Sequence, residues 1–148
     1  MRVGTYNHKY FKSCIKIIQS NIPKYILPSE QFNYENFLLR NSKRYFVFFK
    51  ANDLVACGGY SFNKTKTKAV LSWGLVHRKH HNKGYGTYLI KYRLNQIKKY
   101  HSDIKICLDT SQYTHQFFEK FGFKINKISK NGYGEGLDKY DMVFKLGK

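Results

Sequence analysis

The sequence predicts an α/β fold: a mixed, mostly antiparallel sheet with flanking helices. Three observations predict it. Apolar residues recur at helical spacing in several segments, and runs of aromatic and β-branched residues are separated by turn residues. A strand–helix–strand unit, Lys68 to Leu108, requires at least one parallel pairing of strands inside the sheet.

Length and composition favour one globular domain. A chain of 148 residues fits a single domain over 1–148, and 42% hydrophobic with 18% aromatic residues excludes a disordered protein. No apolar run reaches the roughly 18 residues of a membrane helix, and the N-terminus lacks the features of a signal peptide. Three scattered cysteines without a Cys-x-x-Cys pair indicate free thiols and a cytoplasmic location.

The N-terminal part is predicted to hold an edge strand and two helices. Met1 to Tyr6 fits the strand, and Tyr10 to Ser20 has the apolar spacing of an amphipathic helix. Two prolines break that helix within Asn21 to Pro28. Ser29 is then predicted to be the N-cap of a second helix, which runs from Phe32 to Arg40.

Three strands are predicted next, as an antiparallel meander. They are Tyr45 to Lys50, Leu54 to Phe62 and Lys68 to Val76. Asn52-Asp53 supplies the first turn, and the polar, basic segment Asn63 to Thr67 supplies the second.

The C-terminal half alternates helices and strands. A helix is predicted from about Tyr85 to Tyr100, a strand from Ile104 to Leu108, and a short helix from Thr114 to Phe121 that Gly122 ends. The last predicted strands are Phe123 to Ser129 and Tyr140 to Leu146, around a glycine-rich loop, Asn131 to Gly136.

The net charge of +18 admits a polyanionic partner, because lysines gain affinity for phosphates by releasing counterions. The lysines are spread from Lys9 to Lys148, however, and AT-rich codon usage alone produces such a composition. A nucleic-acid-binding domain is therefore kept only as an alternative.

The segment from His77 to Thr87 carries the chemistry. It joins a strand to a helix, and Gly84 and Gly86 allow a sharp turn and a close approach of a ligand to the backbone. Amides at a helix start attract anions, and Arg78, Lys79 and Lys83 add full charges. Such a loop suits a pyrophosphate.

A second segment lies at a suitable distance: Ile104 to Leu108 is followed by DTSQYTHQFFEKFGF. The two segments together resemble the GCN5-related N-acetyltransferase (GNAT) superfamily, whose cofactor loop reads Q/R-x-x-G-x-G/A. The second family segment is similar to N-x-x-A-x-x-F-Y-x-K-x-G-F. It matches here at Phe117, Lys120, Gly122 and Phe123.

The resemblance implies acetyl-coenzyme A as co-substrate, bound in a V-shaped gap between two splayed parallel strands. The residues that it assigns to acetyl-coenzyme A are Leu75, Val76, His81, Asn82, Lys83, Gly84, Tyr85, Gly86, Thr87, Ser111, Phe117, Phe118 and Lys120. Two positions depart from the family. His81 replaces Gln or Arg, and Phe118 stands where many relatives carry the tyrosine that protonates the departing thiolate.

The candidate catalytic residues are Glu30, Asp109 and Tyr113. A neutral amine is needed for attack on the thioester, so a base or a water chain must remove a proton. Glu30 is a candidate base or a first-turn carboxylate, and Asp109 is a candidate base or a helix cap. Tyr113 and Ser111 are candidate proton donors to sulfur. More distant candidates are Tyr133 as donor, and Glu135 and Asp138 for contact with a cationic acceptor.

No metal site is predicted, because the spacing of His77, His80 and His81 fits no zinc motif. The favoured function is an N-acetyltransferase that acts on a primary amine of a small molecule or peptide. Three alternatives stay open: a protein or aminoacyl-tRNA acceptor, a non-catalytic acyl-coenzyme A module, and the nucleic-acid-binding domain. The sequence predicts no membrane partner, and it leaves a homodimer open.

Overall fold

Within residues 1–145, the part of the chain that the computed structural model describes, there are four α-helices and seven strands. The helices are α1 (Phe11–Asn21), α2 (Glu30–Arg40), α3 (Tyr85–Tyr100) and α4 (His115–Glu119). The strands are β1 (Arg2–Thr5), β2 (Tyr45–Lys50), β3 (Asp53–Phe62), β4 (Lys68–Val76), β5 (Lys105–Thr110), β6 (Lys124–Gly134) and β7 (Leu137–Lys145).

The strands form one sheet in the order β1-β2-β3-β4-β5-β7-β6. The β4–β5 pair is parallel, whereas β1–β2, β2–β3, β5–β7 and β6–β7 are antiparallel. The parallel pair, β4 and β5, lies in the middle of the sheet. The two strands are parallel because the helix between them carries the chain back to the end of the sheet at which β4 begins. The predicted mixed α/β sheet is thus confirmed.

The chain divides into two compact units. Unit 1 comprises Met1–Ser61 and Leu71–Gln96. Its core lies where the apolar stripe of α1 packs with α2, β2 and β3. The buried residues that form this core include Cys14, Ile17, Ile18, Tyr34, Leu38, Tyr45, Val47 and Cys57. Spacings of three and four residues bring the α1 and α2 members onto one face of each helix, as the periodicity predicts.

Unit 2 comprises Phe62–Val70 and the chain from Ile97 onward. It contains the paired residues of the parallel strands β4 and β5: Lys68, Ala69 and Val70 pair with Lys105, Ile106 and Cys107. Next to it, β5 pairs with β7 over six residues. The helix α4 ends before Gly122, whose φ of +99° is the left-handed angle typical of a residue that follows a helix.

Some predicted details of the elements are wrong. Ser29 holds the N-cap position of α2, as predicted, but its side chain makes no capping bond, and α2 begins at Glu30 rather than Phe32. The strand β5 continues past Leu108 to Thr110, and α4 is shorter than predicted.

The predicted glycine-rich loop, Asn131 to Gly136, is also wrong. Most of it belongs to a hairpin: β6 continues to Gly134, and β7 begins at Leu137 rather than Tyr140. A register shift between Ser129 and Gly134 absorbs the irregular residues, so glycines that resemble a loop in the sequence lie in a bulged strand. The predicted end of the last strand, Leu146, lies outside the described residues.

None of the helices in the described part of the chain is both long and apolar enough to cross a membrane. Cys14, Cys57 and Cys107 are free thiols, as predicted.

Candidate functional site

The segment that leads from β4 into α3 turns at two left-handed residues. After a 3₁₀ turn at Arg78–His80, Asn82 (φ +63°) and Gly84 (φ +87°) reverse the chain. Glycine adopts such angles freely, and asparagine adopts them more readily than most residues. No atom lies within 4 Å of the place that a Cβ at Gly84 would take, so the loop is open on that side.

The first amides of α3 are available as donors. The Tyr88 amide donates to the Gly84 carbonyl at 3.1 Å, which is the first bond of the helix. The amides of Tyr85, Gly86 and Thr87 precede it and therefore have no helical carbonyl four residues back. Together with the positive end of the helix dipole, they provide a site for an anion.

Three long side chains supply positive charge beside these amides. Arg78, Lys79 and Lys83 are exposed, and none of them forms an ion pair within the described chain. The pKa values of His77 and His80 are lowered below the ordinary value for histidine. Burial is the larger cause, and repulsion by nearby lysines is the smaller one. Both rings are therefore neutral at pH 7, and the fixed charge comes from arginine and lysine.

His81 fixes the end of β4. Its Nε2 lies 3.0 Å from the Val76 carbonyl oxygen, which only accepts, so this nitrogen carries the hydrogen. Asn21, which is buried, donates from Nδ2 to the same oxygen at 3.1 Å. The ring of Tyr25 packs edge-on against His81, with centroids 5.3 Å apart. Both lone pairs of the Val76 carbonyl are thus occupied, which leaves its amide as the available backbone group.

Replacing His81 with Ala should lower the free energy of unfolding by about 1 kcal/mol, because one partner of a half-buried carbonyl is lost. For a chain of this size the melting temperature should fall by about 2–4 °C, which differential scanning calorimetry measures. His81→Gln is the matched control, since the amide of glutamine can also donate. An unchanged melting temperature for the Ala variant, or an equal loss for Gln, would contradict this role.

A second feature of β4 is a left-handed residue inside the strand, which sequence periodicity did not predict. Trp73 has a φ of +43°, a rare angle for an aromatic residue that costs about 1–3 kcal/mol. The Tyr45 hydroxyl donates to the Trp73 carbonyl at 2.7 Å, and the Tyr34 ring packs on the indole at 5.0 Å. Such an angle departs from the extended backbone of a strand, so it changes the direction of the backbone groups that follow, at Gly74 and Leu75.

Arg93 is a buried cation that the sequence analysis also missed. It is 3% exposed, and burial lowers its pKa to about 10. Its Nε and Nη1 donate to the carbonyls of Leu89 and Gly59, both at 3.4 Å, and a Cβ on Gly74 would lie 2.7 Å from its Nη2. The available signal was its place four residues after Leu89 and four before Ile97, on the apolar face of α3.

In unit 2, both carboxylate oxygens of Asp109 have neighbours. The Tyr133 hydroxyl donates to Oδ1 at 2.8 Å, and the Lys139 ammonium lies 3.9 Å from Oδ2 and 3.9 Å from Oδ1 of Asp141. Asp109 lies inside β5, opposite Asp141 on β7. It is therefore not a cap of α4, which was one of its two predicted roles.

Ser111 forms the turn between β5 and α4. It is buried, its Oγ accepts from the Tyr113 amide at 3.2 Å, and its carbonyl accepts from the amides of Thr114 and His115. The side chain of Tyr113 is exposed by half of its surface. The turn thus brings two of the predicted site residues together.

The α4 residues assigned to acetyl-coenzyme A have different environments. The ring of Phe118 packs edge-on against Phe117 and Phe123 at 5.1 and 6.1 Å, whereas Lys120 is exposed at the end of the helix. The aromatic cluster around residue 118 holds no proton donor. Next to it, the ring of His115 stacks on Tyr140 at 4.3 Å, a contact that the sequence did not indicate.

The other acidic candidates make local bonds. Glu30 accepts from Asn33 of its own helix at 3.0 Å, and Asp138 accepts from the Asn131 amide at 2.8 Å, which shapes the β6–β7 turn. Glu135 is exposed in that turn. The Gln112 amide joins this turn to the β5–α4 segment: Nε2 donates to the Gly136 carbonyl and Oε1 accepts from the Asp138 amide.

No group of three or more His, Cys, Asp or Glu side chains among residues 1–145 has the arrangement to hold a metal ion.

Comparisons with known proteins give a family and a fold. A family model described as "Acetyltransferase (GNAT) domain" matches residues 18–146. No curated protein matches the chain.

Among solved structures, Ard1 from Thermoplasma volcanium is 18% identical with a TM-score of 0.80, over 98% of this chain and 97% of that one. The ribosomal-protein-S18-alanine N-acetyltransferase of Escherichia coli is 15% identical with a TM-score of 0.80, and the match covers 99% of this chain and 94% of that one. An aminoglycoside 6′-N-acetyltransferase complexed with coenzyme A is 14% identical with a TM-score of 0.76, and the match covers 98% of this chain and 97% of that one. At such identities the likeness to these structures is one of fold.

Proposed function

We propose that this chain, which belongs to the GNAT acetyltransferase family, transfers the acetyl group of acetyl-coenzyme A to a primary amine of a small molecule or peptide. The observation that carries the proposal is the loop from His81 to Thr87. Its open glycine, its unpaired helix amides and its neighbouring cations suit a pyrophosphate.

The cradle for the pyrophosphate is formed by the amides of Tyr85, Gly86 and Thr87. The open space at Gly84 allows the phosphates to approach the backbone closely. Arg78, Lys79 and Lys83 belong to the same segment, and no carboxylate in the described chain forms an ion pair with them. Strand β4, at Leu75 and Val76, is assigned to the acetyl and pantetheine groups. Because the Val76 carbonyl is already bonded twice, its contribution is the amide.

Acetyl-coenzyme A supplies an activated acyl group: a C–N bond forms as the C–S bond breaks, and the sulfur leaves as a thiolate. The chain must provide the path for the amine proton. Asp109 is a candidate base, with Tyr133 donating to it, and Glu30 is the second candidate. Tyr113 is the candidate donor to the thiolate because its half-exposed side chain follows the buried Ser111 turn. Phe118 supplies apolar surface only.

The relatives in fold include an enzyme named for a ribosomal-protein alanine and one named for an aminoglycoside. We therefore keep both a peptide N-terminus and a small-molecule amine as acceptors, with a protein lysine or aminoacyl-tRNA as further alternatives. A non-catalytic acyl-coenzyme A-binding module is the second candidate function, favoured by the aromatic packing around Phe118. A cytoplasmic location, a single domain over 1–148 and a homodimer stay predictions.

A thermal shift tests the binding of the co-substrate. A ligand at 100 times its Kd stabilises the folded state by about 2.7 kcal/mol, so 1 mM acetyl-coenzyme A should raise the melting temperature by at least about 5 °C. S-acetylpantetheine, which lacks the pyrophosphate, is the matched control and should give a much smaller shift. The absence of a shift with acetyl-coenzyme A would exclude both the enzyme and the binding module.

Thiol release then separates the two functions. An amine panel of a peptide with an N-terminal alanine, an aminoglycoside and a polyamine should contain at least one compound that accelerates release from acetyl-coenzyme A. A clear thermal shift with no release over a broad panel would favour the non-catalytic module.

A further inference from the structure

A row of lysines crosses three adjacent strands of unit 2. Lys68 of β4 pairs in register with Lys105 of β5, and Lys105 pairs with Lys145 of β7. Register partners lie on the same face of a sheet, with Cβ atoms about 5 Å apart. All three side chains are exposed. We call Lys68, Lys105 and Lys145 the lysine row.

More positive charge adjoins the row at the same end of unit 2. The β3–β4 turn adds Lys64 and Lys66, and its backbone is held against the row by the Asn63 amide, which donates to the Lys68 carbonyl at 3.0 Å. The last turn of α3 carries Lys98 and Lys99. The Phe62 and His101 rings, 4.6 Å apart, connect the end of β3 with the end of α3.

No carboxylate among residues 1–145 forms an ion pair with these side chains. In the described part of the chain the ion pairs are His115–Glu119 and the contacts of Lys139 with Asp109 and Asp141, none of which involves the lysine row or its neighbours. Like charges directly opposite each other destabilise a sheet. Three in a row, with no acidic partner in the described part of the chain, fit a surface whose partner is an anion.

An exposed aromatic residue lies beside this charge. Tyr100, at the end of α3, is 64% exposed, and the Lys99 ammonium lies 5.5 Å from its ring centroid. Lysines that follow a phosphate backbone and an aromatic ring on which a base stacks are the combination used for single strands without sequence preference. An acidic peptide would use the charges but has no need of the exposed ring.

We propose that the lysine row and Tyr100 form a binding surface for single-stranded nucleic acid. The surface lies within unit 2, whereas the loop from His81 to Thr87 belongs to unit 1. The inference does not depend on acetyl transfer, because it rests on charge and exposure in unit 2 alone.

Fluorescence anisotropy with labelled rU20 and dT20 at 50, 100 and 200 mM salt tests the proposal. Each phosphate neutralised contributes about −0.7 to the slope of log affinity against log salt for single strands. The triple variant Lys68→Gln, Lys105→Gln, Lys145→Gln should reduce the slope by about 2 and weaken binding at 50 mM salt at least tenfold. Tyr100→Ala should weaken binding about tenfold with little change of slope.

The matched control is Lys9→Gln, Lys12→Gln, Lys43→Gln, which removes the same charge from exposed positions in unit 1. We expect it to bind nearly as the unaltered chain does. An equal loss in this control would overturn the proposal, as would no binding at 50 mM salt.

Poly-glutamate of equal charge distinguishes an acidic polypeptide from nucleic acid. It should compete poorly, because it lacks bases; competition as strong as that of unlabelled oligonucleotide would also overturn the proposal. Comparison of rU20 with dT20 identifies which nucleic acid is preferred, and binding to either supports the surface.

Discussion

Replacing Gly84 with Asp should weaken acetyl-coenzyme A binding about 100-fold. The backbone at residue 84 has a φ of +87° and nothing lies within 4 Å of a Cβ placed there, so a side chain has space but faces the proposed pyrophosphate site. A carboxylate about 5 Å from a phosphate charge is repelled by about 3 kcal/mol at an effective dielectric constant of 20. That energy corresponds to the expected loss of affinity.

Gly84→Asn separates charge from shape. Asparagine has nearly the same size as aspartate and accepts left-handed angles, so both variants should lose about 1 kcal/mol of stability through backbone strain. Calorimetric titration should then give a Kd for the Asn variant within about tenfold of the unaltered chain. Raising the salt should narrow the difference between Asp and Asn, since exposed charges are screened. Equal affinities of the two variants at low salt would exclude a pyrophosphate at this loop.

The backbone of the loop from His81 to Thr87 was predictable because its signals are local. Asn82 and Gly84 occupy left-handed positions, and Tyr85 begins the helix at the predicted residue. Strand β4 has its predicted bounds for a similar reason: its alternation of buried and exposed residues is confined to one short segment.

The features that escaped prediction depend on contacts between distant residues. A lone arginine among apolar residues of α3 gives no sign that the carbonyl of Gly59, 34 residues earlier, accepts from it. The β6–β7 hairpin looked like a loop because glycine and asparagine are poor strand formers, yet pairing with β7 and a register shift keep these residues in the sheet. Local propensity is therefore a weak predictor of conformation wherever tertiary hydrogen bonds decide it.

The Tyr45 network gives the second large expected effect. The Tyr45 hydroxyl has one hydrogen, which it donates to Trp73, so it accepts from the Tyr34 hydroxyl at 2.8 Å. The Tyr34 oxygen in turn lies 3.2 Å from Cys57 Sγ, which then donates. Burial raises the pKa of both tyrosines well above the ordinary value, so both keep their hydrogens.

Tyr45→Phe should lower the free energy of unfolding by about 2 kcal/mol, because the Trp73 carbonyl loses its donor and the Tyr34 hydroxyl loses its acceptor. It should also lower kcat/KM at least tenfold. The left-handed angle of Trp73 is strained, and the bond from Tyr45 helps to hold this angle, which orients the backbone at Gly74 and Leu75. Loss of that bond should let Trp73 relax and misplace the groups assigned to the acetyl end of the co-substrate.

Tyr34→Phe is the control that distinguishes positioning from stability. It removes a hydroxyl from the same buried network but leaves the bond from Tyr45 to the Trp73 carbonyl intact. Denaturant unfolding should therefore give a loss of about 1–2 kcal/mol, whereas steady-state kinetics below the melting temperature should be nearly unchanged. If both variants lost activity in proportion to stability, Tyr45 would be a purely structural residue. A kinetic loss confined to Tyr45→Phe would assign the left-handed backbone at Trp73 a part in positioning the co-substrate.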